Sequence, residues 1–218
     1  MLWIASAAAL ILAYLLGAVP VGYLAAKLIK RLDITQIGSG RTGASNVLRA
    51  AGVMPAAITV LGDFAKGYGA VALAKALAPD LPVIAALAGV CAVAGHDWPV
   101  FLRFDGGVGT MTTIGAAFAL SPIAAAIAFG AGLVVVIIWH HSSVGSLTYA
   151  GVLSLAILGG GILGYWPLTF LIFALGTTAM ATWELRPNIK RLKEGTERKI
   201  GQFVQPGQRD VAHESNGH

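Results

Sequence analysis

Residues 123–139 read IAAAIAFGAGLVVVIIW, an unbroken apolar run closed by a tryptophan. Coiled as an α-helix it reaches about 25 Å, most of the roughly 30 Å hydrocarbon core of a bilayer. It is apolar on every face, so a helix here needs lipid or protein all round it. Six further runs of the same character lie to either side. They are Leu2–Leu24, Met54–Ala78, Pro82–Ala94, Met111–Leu120, Leu147–Leu163 and Leu168–Trp183. The third and fourth runs in chain order, Pro82–Ala94 and Met111–Leu120, are short for a crossing and are expected to tilt, to thin the bilayer or to lie partly re-entrant beside the loop between them. The first run has no Lys or Arg before it and exceeds a signal-peptide core in length, so it is expected to stay as a span.

The composition agrees. Of 218 residues, 56% are hydrophobic and 11% charged, with mean hydropathy +0.76. A soluble domain carries about 25% charged residues, so a water-facing globular enzyme, a disordered chain and a secreted disulfide module are all excluded. The 28 glycines follow no period, and Cys91 has neither a disulfide partner nor a metal-ligand cluster around it.

The net charge of +5 is explained by loops. Of the 15 Lys and Arg residues, all but Lys66 and Lys75 fall between Lys27 and Arg49, at Arg103, or from Arg186 onward. The opposite connections, 79–82, 121–122 and 164–167, carry a single charge, Asp80. Basic loops remain in the cytoplasm, which places the N-terminus outside and the C-terminus inside, a parity that seven spans satisfy. The expected fold is therefore an all-α integral membrane protein with seven transmembrane helices and cytoplasmic glycine-rich loops. One domain is expected over 1–202, followed by a disordered polar tail over 203–218. Nucleic acid is not an expected partner.

The polar glycine-rich stretches gather on the cytoplasmic side. Residues 38–49, GSGRTGASNVLR, supply Gly38, Gly40 and Gly43 for turns that aim N–H groups at an anion, with Ser39, Asn46, Arg41 and Arg49 as further donors. The bland alternative is a flexible connector. A nucleotide-binding P-loop is excluded because Ala44 stands where a Lys is needed and no strand precedes it. Residues 63–67, DFAKG, put Asp63 and Lys66 on one helical face. That pair reads either as a structural tie between helices or as a partly committed phosphate-binding lysine.

Residues 95–110, GHDWPVFLRFDGGVGT, bring His96 beside a second glycine cluster, Gly106, Gly107 and Gly109, with the hydroxyl of Thr110. His96 is either a structural interfacial group or an acid–base candidate. The HHSSVGS turn at 140–146 offers Ser142, and 186–200, RPNIKRLKEGTERKI, reads as a short basic amphipathic segment against anionic lipid. No metal site is expected.

Taken in order, these stretches resemble the bacterial integral-membrane glycerol-3-phosphate acyltransferase family that uses acyl phosphate as donor. GSGRTGASNVLR resembles that family's GSGNPGATNVLR. DFAKG resembles D-x-x-K-G, and the 95–110 segment resembles GHxWPVFxxFKGGKGVAT. SSVGS and 188–200 resemble its SSLG turn and HRxNIxRLxxGTExK close.

The resemblance implies transfer of an acyl chain from acyl phosphate to the 1-hydroxyl of glycerol 3-phosphate, giving lysophosphatidic acid and phosphate. It implies no cofactor, a monomer among membrane lipids, and a multi-pass protein of the bacterial inner membrane with its active face in the cytoplasm. Carried over by position, His96, Ser142 and Asn188 are candidate catalytic residues. Ser39, Gly40, Arg41, Gly43, Asn46, Arg49, Lys66, Gly106, Gly107, Gly109, Thr110 and Glu197 are candidate phosphate- or substrate-binding residues.

Four positions depart from the pattern. Val108 and Asp105 stand where the family has lysines, Arg41 where it has asparagine, and Leu185 where it has histidine. The glycine loops thereby lose their net positive charge. A catalytically impaired or respecialised member that binds phosphorylated lipid precursors is one rival reading. An organic-phosphate transporter built on Asp63 and Lys66 is another, although no inverted repeat supports it.

Overall fold

A computed structural model describes residues 2–202, so the polar tail expected over 203–218 lies outside the described residues. Among them there is no strand. The chain forms α1 (Leu2–Ala18), α2 (Val21–Lys30), α3 (Ala44–Ala51), α4 (Val53–Leu77), α5 (Pro82–Asp97), α6 (Thr110–Leu120), α7 (Pro122–Trp139), α8 (Ser142–Ile162), α9 (Phe170–Glu184) and α10 (Arg186–Lys193). Five helical segments are long and apolar enough to cross a membrane: 3–30, 53–77, 82–102, 122–139 and 142–162. Two more apolar helices, α6 and α9, are shorter.

Three boundaries differ most from the sequence reading, and one of them is the start of α8 at Ser142, inside the turn expected over 140–146. The first run is broken at Pro20, which caps α2. Proline lacks an N–H and disfavours helical geometry at the residue before it, so Val19 leaves the helix and frees its carbonyl. The run at Pro82 does not stop at Ala94. It continues to Asp97, and a further helical turn at Val100–Leu102 makes it one of the five long segments. Prolines open α5 and α7, where the missing N–H costs nothing.

Small residues let the helices touch backbone to backbone. A β-carbon built on Gly67 of α4 would overlap the Thr112 carbonyl of α6, and one on Gly115 would overlap that of Phe64. Gly17 and Gly95 play the same part between α1 and α5. Between α1, α4 and α5 the core is wholly alanine: Ala9, Ala13, Ala70, Ala74, Ala88 and Ala92. Lipid supplies no hydrophobic drive between helices, so this close contact is what holds them. A larger core of Val71, Ile114, Leu153, Ile157 and Phe173 joins α4, α6, α8 and α9. Outward, Trp3, Ile4, Ile137, Leu155 and Ile162 are all more than half exposed, as a lipid-facing surface requires. The chain is a multi-pass membrane protein.

Gly67→Val forces side-chain atoms into a backbone contact and is expected to cost about 1–3 kcal/mol, read as a lowered melting temperature in detergent. Gly151→Ala in α8, where an added β-carbon meets nothing within 4 Å, is expected to leave the melting temperature unchanged or slightly raised.

Candidate active site

One end of the bundle collects the loops 31–43 and 98–109, the α7–α8 corner and the segment after α9. A charge buried inside α4 organises it. Asp63 Oδ1 lies 3.0 Å from Lys66 Nζ, one turn along the same helix. It also lies 3.4 Å from His96 Nδ1 at the end of α5. All three side chains are at most 5% exposed. Lys66 also donates to the Val19 carbonyl at 3.0 Å, the group released by Pro20. The spacing of Asp63 and Lys66 foretold their pairing. The third and fourth members of the node, His96 and Val19, come from distant parts of the chain.

The first glycine stretch is tied down by one side chain. Asn46 is buried, and its amide nitrogen donates to the carbonyls of Ile34, Ile37 and Arg41 at 3.3, 3.0 and 2.9 Å. Its Oδ1 accepts the Ser39 N–H at 3.2 Å. The asparagine thus shapes the loop through both ends of its side-chain amide.

The second stretch docks on the first through Thr42 N–H, which donates to the Gly106 carbonyl at 3.2 Å. Gly107 N–H donates to the His96 carbonyl at 3.2 Å, and a β-carbon on Gly107 would overlap His96 Nε2. Gly40 N–H returns to the Ile37 carbonyl at 3.0 Å. The amides of Ser39, Gly40, Thr42 and Gly107 are therefore spent inside the loops. Buried N–H groups are satisfied by the nearest carbonyl or side-chain oxygen.

After α10 the chain returns as a strap. Glu197 is buried and accepts from Ser143 Oγ at 2.9 Å, Asn188 Nδ2 at 2.7 Å and Arg191 Nε at 2.8 Å. Ile200 N–H then donates to the His140 carbonyl at 2.8 Å, where α7 ends in a left-handed turn. Ser143, which the sequence reading passed over in favour of its neighbour, makes the contact to Glu197. Ser142 opens α8. Its carbonyl accepts Ser146 Oγ, which in turn accepts Thr110 Oγ1 at 3.0 Å.

Arg41 leans on the C-terminal end of α9, donating to the Glu184 carbonyl and lying 3.5 Å from its carboxylate. A guanidinium there complements the negative end of the helix dipole. Burial pulls the Arg41 guanidinium below its usual value, opposed chiefly by Glu184. The group nonetheless remains a cation.

These pieces enclose a cavity of about 930 Å³. Eleven predicted residues line it: Ser39, Arg41, Gly43, Asn46, Arg49, His96, Gly109, Thr110, Ser142, Asn188 and Glu197. Gly40, Lys66, Gly106 and Gly107 do not line it. Lys66 is engaged with Asp63 and Val19, and the three glycines lie where the loops pack on one another.

Val108 and Leu185 line the cavity, and so do Arg103, expected as a charge of a cytoplasmic connection, and Arg191 and Arg198, expected to face anionic lipid. From the polar end the cavity extends between α4, α6, α7 and α8 along Val60, Ile114, Phe129, Leu133, Val136 and Tyr149. Among the described residues no group of three His, Cys, Asp or Glu side chains is placed to hold a metal ion.

Helical membrane proteins with a cation-ringed cavity opening into an apolar slot suit one class of substrate, a phosphorylated head with a lipid tail. The comparisons give that class its family. Residues 7–195 match the family model described as glycerol-3-phosphate acyltransferase. The glycerol-3-phosphate acyltransferase of Alkaliphilus metalliredigens is 40% identical over 192 residues, 88% of this chain and 94% of that protein. That of Halalkalibacterium halodurans is 40% identical over 195 residues, 86% of this chain and 92% of that protein.

Among solved structures, the crystal structure of PlsY, an integral membrane glycerol 3-phosphate acyltransferase, superposes in its glycerol 3-phosphate form with a TM-score of 0.81. The two are 34% identical over 90% of this chain and 96% of that one. Its lysophosphatidic acid form gives 0.79 at 33% identity. The chain belongs to the glycerol-3-phosphate acyltransferase family.

Asp63→Asn leaves Lys66 as an uncompensated buried cation and is expected to cost about 3–5 kcal/mol. Adding Lys66→Met to it is expected to recover most of that loss, read by thermal unfolding in detergent.

Proposed function

We propose that this chain transfers an acyl group from acyl phosphate to the 1-hydroxyl of glycerol 3-phosphate, at the cytoplasmic face of a bacterial inner membrane. The observation that carries this reading is the continuous cavity of about 930 Å³, cationic at the loop end and apolar between α4, α6, α7 and α8. The acyl tail occupies the apolar arm and both phosphates lie among the arginines. The basic loops all border the cavity's polar end. With the seven apolar helices as crossings, this supports an N-terminus outside and a C-terminus inside.

The step needs no cofactor. The glycerol hydroxyl oxygen attacks the acyl carbonyl carbon. The bond from that carbon to the phosphate oxygen breaks, phosphate leaves with the electron pair, and the hydroxyl proton ends on phosphate. Such a mixed anhydride requires position and charge stabilisation above all. Arg49 is the phosphate-facing cation of the first loop, while Gly43 and Gly109 keep the two loop rims free of side chains. Ser39, Ser142 and Thr110 offer hydroxyls to the reacting oxygens.

His96 is held between Asp63 and Gly107. That supports a positioning role for it, with the departing phosphate as proton acceptor. Asn188 and Glu197 act by holding the strap over the site. Arg41, tied to Glu184, fixes the first loop against α9.

Purified protein given acyl phosphate and labelled glycerol 3-phosphate is expected to release lysophosphatidic acid and inorganic phosphate in equal amounts. No product above a protein-free control defeats the proposal. Leu133→Trp, which fills the apolar arm, is expected to raise KM for long-chain acyl phosphates about tenfold while leaving a four-carbon donor unaffected. Steady-state kinetics with both donors check this.

A further inference from the structure

Arg49, Arg191 and Arg198 come from α3, α10 and the strap, and all three line the polar end of the cavity. Burial and then Arg198 press the Arg49 guanidinium below its usual value, and burial and then Arg191 do the same to Arg198. Glu197 is the acid that opposes them, and it already accepts Arg191, Asn188 and Ser143. The lining carries five arginines, Arg41, Arg49, Arg103, Arg191 and Arg198, against Asp63, Asp105 and Glu197, which leaves an excess of positive charge in the cavity.

Meanwhile Val108, on the opposite rim, brings no charge. Arg41 is drawn off by Glu184, and several loop amides are consumed within the loops. A dianionic phosphate entering this cavity meets Arg191 and Arg198 on the strap side, besides Arg49 and Arg103.

Arg198 is placed for this by the strap's anchors on either side, Glu197 beneath Ser143 and Ile200 on His140. Its guanidinium reaches across to the first loop, where Nη1 stands 3.7 Å from the β-carbon position of Gly38. We infer that Arg198 is a phosphate-binding residue of this enzyme, completing with Arg49 and Arg191 the cationic pocket that Val108 leaves open. A forked guanidinium on a phosphate gives a charge-assisted pair of hydrogen bonds. The strap then does two things at once, closing the cavity and delivering the charge. This inference rests on the acyltransferase reading for the identity of the phosphates, though the binding site itself does not depend on turnover.

The test uses the full-length protein in detergent, with Arg198→Ala, Arg198→Lys and Arg198→Ala/Val108→Lys. Thermal stabilisation by glycerol 3-phosphate and by inorganic phosphate is measured beside KM for each substrate. Arg198→Ala is expected to melt like the parent without ligand, to lose phosphate-dependent stabilisation, and to raise KM about 10- to 100-fold. Arg198→Lys is expected to keep part of the binding, and Val108→Lys to restore much of what Arg198→Ala loses. A rise confined to KM for glycerol 3-phosphate assigns the pocket to the acceptor, and one confined to acyl phosphate assigns it to the donor.

Unchanged stabilisation and unchanged KM values in Arg198→Ala overturn the inference. So does a loss of stabilisation equalled by a lowered ligand-free melting temperature that Val108→Lys does not relieve. If the parent binds phosphate through Arg198 but forms no lysophosphatidic acid, the inference stands and the acyltransferase reading falls.

Discussion

A carboxylate in the middle of a membrane helix is costly unless it is paired, and Asp63 is paired with two distant parts of the chain at once. Through Lys66 it reaches the carbonyl of Val19, and so joins α4 to the break between α1 and α2. Through His96 it reaches the end of α5, against which Gly107 is packed. The second glycine loop then holds the first by the Thr42–Gly106 bond. Each link lies in a region poor in water, where a missing partner cannot be replaced by solvent. The site's scaffold is in this sense a chain of obligatory pairings that starts from one acid.

The glycine stretches owe their composition to this scaffold as much as to substrate. Gly107 makes room for the His96 imidazole, and Gly109, at φ +63, turns the chain into α6 next to the buried Asp97. The loops are dense and internally bonded, and they form walls. Arg41 and Arg103 sit on these loops, and further charge arrives on Arg49 of α3 and on the arginines that follow α9. Departures from the family pattern at Asp105 and Val108 become intelligible on that division. A wall can lose its lysines while its shape persists, provided cations on another element face the same space.

Fold class was plain in the chain because lipid imposes a pattern that needs no tertiary information: long apolar runs, charge confined to the connections, prolines at helix starts. Pro20 and its consequence were also written there, although only the freed Val19 carbonyl showed why the break matters. The order of motifs carried the family, and most predicted side chains do meet in one cavity.

What composition and spacing could not supply is which atoms are already spent. Asn46 and Lys66 looked like donors to a ligand, and both are consumed by backbone carbonyls or a buried acid. Arg191 and Arg198 looked like a membrane anchor, yet the strap folds them over the site. Local sequence determined the helices, their ends and the side on which polarity gathers, since those follow from neighbours a few residues apart. The partners of buried polar groups, and the direction from which positive charge reaches the cavity, were decided only when segments far apart in the chain came into contact.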